Sequence, residues 1–218
     1  MTNREVKAAI RVEATLDRLK DAKITPDQAL AELASIGEPA ILPLTAALQK
    51  RGDYAQNTIL LALHKIGGDE KVAIAINSFL EYCSGTYYDQ FGETKADNPT
   101  RDISFDRVAL PSLLRELAGK HYEIATPIIV NMGAGKEAIQ ALLNLARTGK
   151  NRTQLMERML NLQACMSEKG MNFSSSAQLD IDFSGIALEK SLRAPKSRRA
   201  FIVPAGKPPL AAKKVQRI

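Results

Sequence analysis

Leu30-Ala31-Glu32-Leu33-Ala34-Ser35-Ile36-Gly37-Glu38-Pro39-Ala40-Ile41-Leu42-Pro43-Leu44 puts the end of one helix, a stop and the start of another into fifteen residues. Leu30, Leu33 and Ile36 keep the three-to-four-residue spacing of one helical face, and Gly37 closes the segment because glycine enters left-handed backbone without a steric penalty. Ala40, Ile41, Leu44 and Leu48 then open a second apolar face. The same order returns 30 residues on, where Leu60, Leu63 and Ile66 end at Gly67 and Val72, Ala73, Ile76, Phe79 and Leu80 follow. A helix, a tight turn and a second helix at a fixed period is the sequence form of an α-solenoid, because neither helix buries its apolar face until units stack.

The rest of the composition agrees with helix. Of 218 residues, 45% are hydrophobic but only 5% aromatic, with no tryptophan, and abundant Ala and Leu favour helix over the β-branched content of sheets. The expected class is all-α. No run approaches the ~20 apolar residues that span a bilayer, and Arg4, Glu5, Lys7, Arg11 and Glu13 stand where a signal peptide would carry its apolar core, so a cytoplasmic protein is expected. Cys83 and Cys165 lie far apart outside any paired motif and are read as structural thiols.

Charge is unevenly placed. The net charge is +6, yet Lys190 to Ile218 holds nine bases and no acid, leaving 21 bases against 24 acids in the remainder. A mildly acidic body with a basic tail is a pattern used for nucleic acid or acidic protein surfaces.

Along the chain, residues 3–22 read as an amphipathic capping helix with Val6, Ala9, Ile10, Leu16 and Leu19 on its apolar side. Thr25, Pro26 and Gln28 form a capping-box start for the next helix. Pro39 suits a first helical turn, and Pro43 requires either a late start or a bend. Helices are expected over 54–65 and 70–81, then an inserted loop over 83–106 that carries Tyr87, Tyr88 and Phe91 among helix breakers. Leu110-Pro111 with Leu113, Leu114 and Leu117 resumes the pattern, followed by helices over 123–132, 136–146 and 153–168. Residues 1–169 are therefore expected to form the helical domain and 170–218 a linker with an extended, largely unstructured basic tail, with strand-like alternation at Leu179–Phe183.

Leu33-x-x-Ile36-Gly37-x-Pro39-Ala40-Ile41-x-x-Leu44, echoed at Leu63-x-x-Ile66-Gly67 and Val130-x-Met132-Gly133, resembles the HEAT-like repeats of the phycobilisome-lyase type, over roughly residues 25–168. The resemblance implies a HEAT-like α-solenoid and admits a lyase or chaperone-like subunit that acts on a chromophore-bearing protein. The second unit departs from the pattern by lacking the proline after its glycine.

Sequence motifs for chemistry are few. His64 and His121 each adjoin a lysine, and the His-Glu dipeptides on which the similar deoxyhypusine-hydroxylase type depends for iron are absent; two distant histidines imply no metal. No cofactor is implied either, since Gly133-Ala134-Gly135-Lys136 lacks the leading glycine and the Ser/Thr of a phosphate loop. HEAT-like alkylpurine glycosylases lean on tryptophan, which this chain lacks. The function expected is a non-catalytic protein-binding scaffold or adaptor whose partner is another protein. Its candidate contacts are Tyr87, Tyr88 and Phe91 in the insert and Arg193, Lys196, Arg198 and Arg199 in the tail. The alternative partner is a nucleic acid held by that tail.

Overall fold

A computed structural model describes residues 2–50, 53–88, 98–148 and 151–171. The chain divides into two units, Met1–Asn172 and Phe173–Ile218, and every described residue belongs to the first. The strand-like stretch at 179–183 and the basic tail lie outside the described residues.

The fold is all-α, with eight α-helices and no strand among the described residues. They are α1 (Asn3–Lys20), α2 (Pro26–Ile36), α3 (Ile41–Lys50), α4 (Asp53–Tyr87), α5 (Leu110–Glu116), α6 (Tyr122–Asn131), α7 (Gly135–Thr148) and α8 (Arg152–Glu168). Local chemistry sets the first boundaries. Thr2 with Glu5 and Thr25 with Gln28 form complete capping boxes, each side chain taking the other residue's backbone N–H, which satisfies donors that a helix start leaves open. A 3-10 turn at Glu38–Ala40 absorbs Pro39, so α3 starts late, at Ile41, and Pro43 falls within its first turn, where no donor is required.

The opening helix differs from its sequence reading in two ways. It ends at Lys20, and it buries Ala8, Val12, Thr15, Leu16 and Leu19. Val6 and Ile10 face outward, 44% and 65% exposed. Arg18 fixes α1 to α2 through both carboxylate oxygens of Glu32, at 3.1 and 2.9 Å, and Thr15 Oγ1 donates to the same carboxylate at 3.2 Å.

Helices α2 and α3 pack on α4, which is two helical halves joined at a non-helical glycine kink. The joint is one residue later than the repeat predicts. Gly68 has φ 66° and ψ −162°, matching Gly37 at φ 74° and ψ −155°, whereas Gly67 keeps a negative φ of −148°. The conformational equivalent of Gly37 is therefore Gly68, and the two half-helices of α4 meet there. Each half buries one stripe: Ala55, Ile59, Leu60, Ala62 and Leu63 before the joint, then Val72, Ala75, Ile76, Phe79, Leu80 and Cys83 after it.

The second half of α4 also runs further than the sequence suggests, to Tyr87. Residues 83–87, expected to open the inserted loop, are helical, because Gly85 tolerates helix and Cys83 extends the buried stripe. Beyond α4, α5 packs against α6, α6 against α8, and α7 against α8. At the start of α7 a Cβ on Gly135 would stand 2.4 Å from Met166 Sδ, so the glycine in Gly-Ala-Gly-Lys serves close helix packing.

Candidate partner-binding cleft

Pro127 sets the chemistry of this region. It lies inside α6, and with no N–H to give it leaves the Glu123 carbonyl without its helical partner. Asn98 Nδ2 donates to that carbonyl at 3.1 Å, and Thr100 Oγ1 donates to the neighbouring Ile124 carbonyl at 2.8 Å. Residues 98–106 are thereby strapped onto α6. Asn131 Nδ2 donates to the carbonyls of Arg101 and Ile103, at 2.9 and 2.8 Å, and Asn57 Oδ1 accepts from the Asp106 amide at 2.6 Å. Phe105 is buried edge-on against Phe79, with ring centroids 5.2 Å apart. The described part of the expected insert is thus packed over its own helices.

A cleft of about 600 Å³ opens between the end of α4, this strap, α6 and α8, lined chiefly by Tyr87, Arg101, Tyr122, Glu123, Asn161 and Glu168. Glu123 accepts hydrogen bonds from two tyrosines. Tyr122 Oη donates to Glu123 Oε1 at 2.8 Å, and Tyr88 Oη donates to Oε2. The two hydroxyls arrive from different helix ends, so the carboxylate joins the end of α4 to α6. Burial first, and then hydrogen bonding to Glu123, push both phenol pKa values up, so both rings stay neutral donors at physiological pH.

Arg158 lies behind this wall, 7% exposed, with its guanidinium 4.5 Å over the Tyr122 ring. It donates from Nη1 to the Leu117 carbonyl at 2.7 Å, while its Nε has no hydrogen-bond partner among the described residues. The cation is held by a ring face and a carbonyl. Cys165 also lines the cleft, and burial, with Glu168 adding to it, pushes its thiol pKa up. It is a protonated neighbour at neutral pH, not a poised thiolate.

Of the residues singled out from sequence, Tyr87 lines the cleft and Tyr88 turns inward to Glu123, their rings in edge contact at 5.0 Å. Phe91, Arg193, Lys196, Arg198 and Arg199 lie outside the described residues. Tyr122, Glu123, Asn161 and Arg158 escaped the sequence reading. Pro127 was the available signal, since a proline inside an apolar helix marks carbonyls that other side chains must satisfy.

The histidines separate. His64 is exposed, with Nδ1 3.2 Å from Asp69 Oδ1. His121 is 5% exposed, and its Nε2 stands 3.4 Å from Glu81 Oε1. Lys120 bonds the same carboxylate and holds its pKa down. No group of three or more His, Cys, Asp or Glu residues suited to a metal ion occurs among the described residues, and no described helix is long and apolar enough to cross a membrane. Comparisons with protein-family models, curated proteins and solved structures returned no match.

Proposed function

We propose that this protein is a non-catalytic protein-binding scaffold or adaptor of HEAT-like solenoid construction, which holds an extended segment of another protein. The observation that carries the reading is the open cleft with Tyr87 on its wall and a carboxylate fixed by two tyrosine hydroxyls. Rigid aromatic rings beside fixed polar groups recognise a chain at small entropic cost, because little side-chain freedom is lost on contact. The repeated glycine joint supports the solenoid part: Gly37 and Gly68 share one conformation inside successive helix pairs.

A second reading rests on the nine bases and no acids from Lys190 to Ile218, which suit a nucleic acid or another acidic surface. Affinity capture separates the two. The scaffold reading expects full-length chain and chain truncated after Leu188 to retain one partner, and Tyr87→Ala to lose it. Loss on truncation with retention by Tyr87→Ala, together with duplex binding that falls steeply with salt, contradicts the scaffold reading and favours the tail.

A further inference from the structure

The outer side of α1 carries charge that no described residue answers. Arg4, Lys7 and Arg11 recur along it at three- and four-residue steps, and all three are exposed. None of them forms an ion pair among the described residues. Glu5, the one acid in these turns, is turned back into the capping box with Thr2. Arg18, further along the helix, is by contrast held by Glu32. The first turns of α1 therefore present three uncompensated positive charges over about 10 Å of helix.

Aliphatic side chains stand beside that row. Val6 is 44% exposed and Ile10 65%. At about 100° per residue Ile10 falls opposite the buried stripe, with Val6 on one side of it and Lys7, Arg11 and Arg4 in order on the other. Leu42, 73% exposed, adds a third aliphatic group at a groove of about 390 Å³ that Thr2 and Arg4 share with Pro39 and Ile41. Single exposed aliphatics are ordinary on a protein surface; their combination with unpaired cations on one helix selects an occupant. A nucleic-acid backbone takes the cations and gives the aliphatic groups nothing to bury against. A protein partner is anchored by aromatic side chains in pockets, whereas this surface is the outside of one helix and neither it nor the groove carries an aromatic residue. The headgroup layer of an anionic bilayer uses both parts of the set: its phosphates meet the cations, and its acyl boundary receives the aliphatic groups.

We propose that the first half of α1, with Leu42 beside it, is a docking surface for an anionic membrane, on which the helix lies without crossing it. The acids Glu13 and Asp17 come only in the second half of the helix, which confines the contact to the first. The proposal goes beyond the scaffold reading and does not depend on it.

The chain has no tryptophan, so one introduced by substitution reports its own surroundings. Ile10→Trp on α1 and Leu160→Trp on α8, a position 42% exposed, are made in full-length chain. Each is mixed with vesicles of phosphatidylcholine alone or with phosphatidylglycerol, their acyl chains brominated as quencher. Fluorescence from position 10 is expected to move to shorter wavelength and be quenched by the mixed vesicles only, and fluorescence from position 160 to respond to neither. In the Ile10→Trp background Arg4→Gln, Lys7→Gln and Arg11→Gln are each expected to weaken vesicle affinity about fivefold, and added salt to weaken it further. Chain that sediments with the mixed vesicles while position 10 stays unquenched is held elsewhere, by the basic tail for instance, and overturns the proposal. Equal quenching at both positions, equal response to phosphatidylcholine alone, or no response at all overturns it too. A response at position 10 to a DNA duplex but not to vesicles assigns the row to nucleic acid and overturns the membrane. None of these outcomes bears on the partner capture that tests the scaffold.

Discussion

Replacing Gly68 with alanine isolates the backbone demand of the joint in α4. A Cβ at Gly68, as at Gly37, meets nothing within 4 Å, so packing adds nothing to the penalty and the conformation alone sets it. At φ 66° and ψ −162° the residue occupies a region that is essentially glycine's own, and holding an L side chain there costs about 1–3 kcal/mol. For a domain of this size a loss of about 2 kcal/mol lowers Tm by roughly 4–8 °C. Gly37→Ala is expected to match it, because φ 74° and ψ −155° place it in the same region.

Gly67 is the control. Its φ of −148° lies outside the left-handed region, and the neighbour in the way is the side chain of Lys71, whose Cγ would lie 2.3 Å from the new atom. That side chain swings aside at the expense of a surface ion pair with Glu70, a loss below about 1 kcal/mol, partly offset by the smaller entropy of the unfolded chain. Urea unfolding followed by far-ultraviolet circular dichroism measures all three variants. Asparagine at 68 is expected not to rescue stability, since ψ lies far from the left-handed helical well that asparagine tolerates. A neutral Gly68→Ala, or a Gly67→Ala that costs as much, refutes the argument.

Asn98→Ala is expected to cost about 1–3 kcal/mol by stranding the Glu123 carbonyl. In a Pro127→Ala background, where residue 127 regains an N–H for that carbonyl, the cost shrinks by about 0.5–1.5 kcal/mol, which a double-mutant cycle reads directly; strict additivity contradicts the link. The two thiols differ in their expected behaviour toward a disulfide reagent. Cys83 is buried and its pKa is pushed up to about 12, so it reacts only on unfolding, whereas half-buried Cys165 reacts in the native state. The folded state of Cys83 favours the proton, so its contribution is full below the free-thiol range near pH 9 and is lost as pH rises toward 12. Alkaline unfolding that sets in earlier for Cys83→Ser than for the parent contradicts that sign.

The parts of this fold legible in the sequence are those whose cause is local. Thr25 with Gln28 announces a capping box, and Pro39 and Gly37 bracket a turn. Each signal acts within four residues, and each element stands where it points. The joint at Gly68 was misplaced by one residue because two adjacent glycines satisfy the same pattern and only φ and ψ tell them apart. The outward turn of Val6 and Ile10 has a similar origin. Helix α1 carries two apolar rows, and the neighbours α2 and α3 decide which one is buried. The strap at 98–106 was illegible for a different reason. Its hydrogen bonds reach Asn57, Glu123, Ile124 and Asn131, tens of residues away, so its order comes from tertiary contacts and not from any local preference. The cleft follows suit, because Tyr88 and Tyr122 meet at Glu123 only once α4 and α6 are packed.

Photochemical cross-linking tests the central claim, that a partner segment is held at the cleft between α4, α6 and α8. Benzoylphenylalanine replaces Tyr87 in one full-length sample and Leu42, 73% exposed on α3, in another, and each is illuminated with the captured partner. The account predicts a cross-link from position 87 to one partner peptide, and none from position 42. Cross-linking from 42 alone, or from neither position, contradicts it.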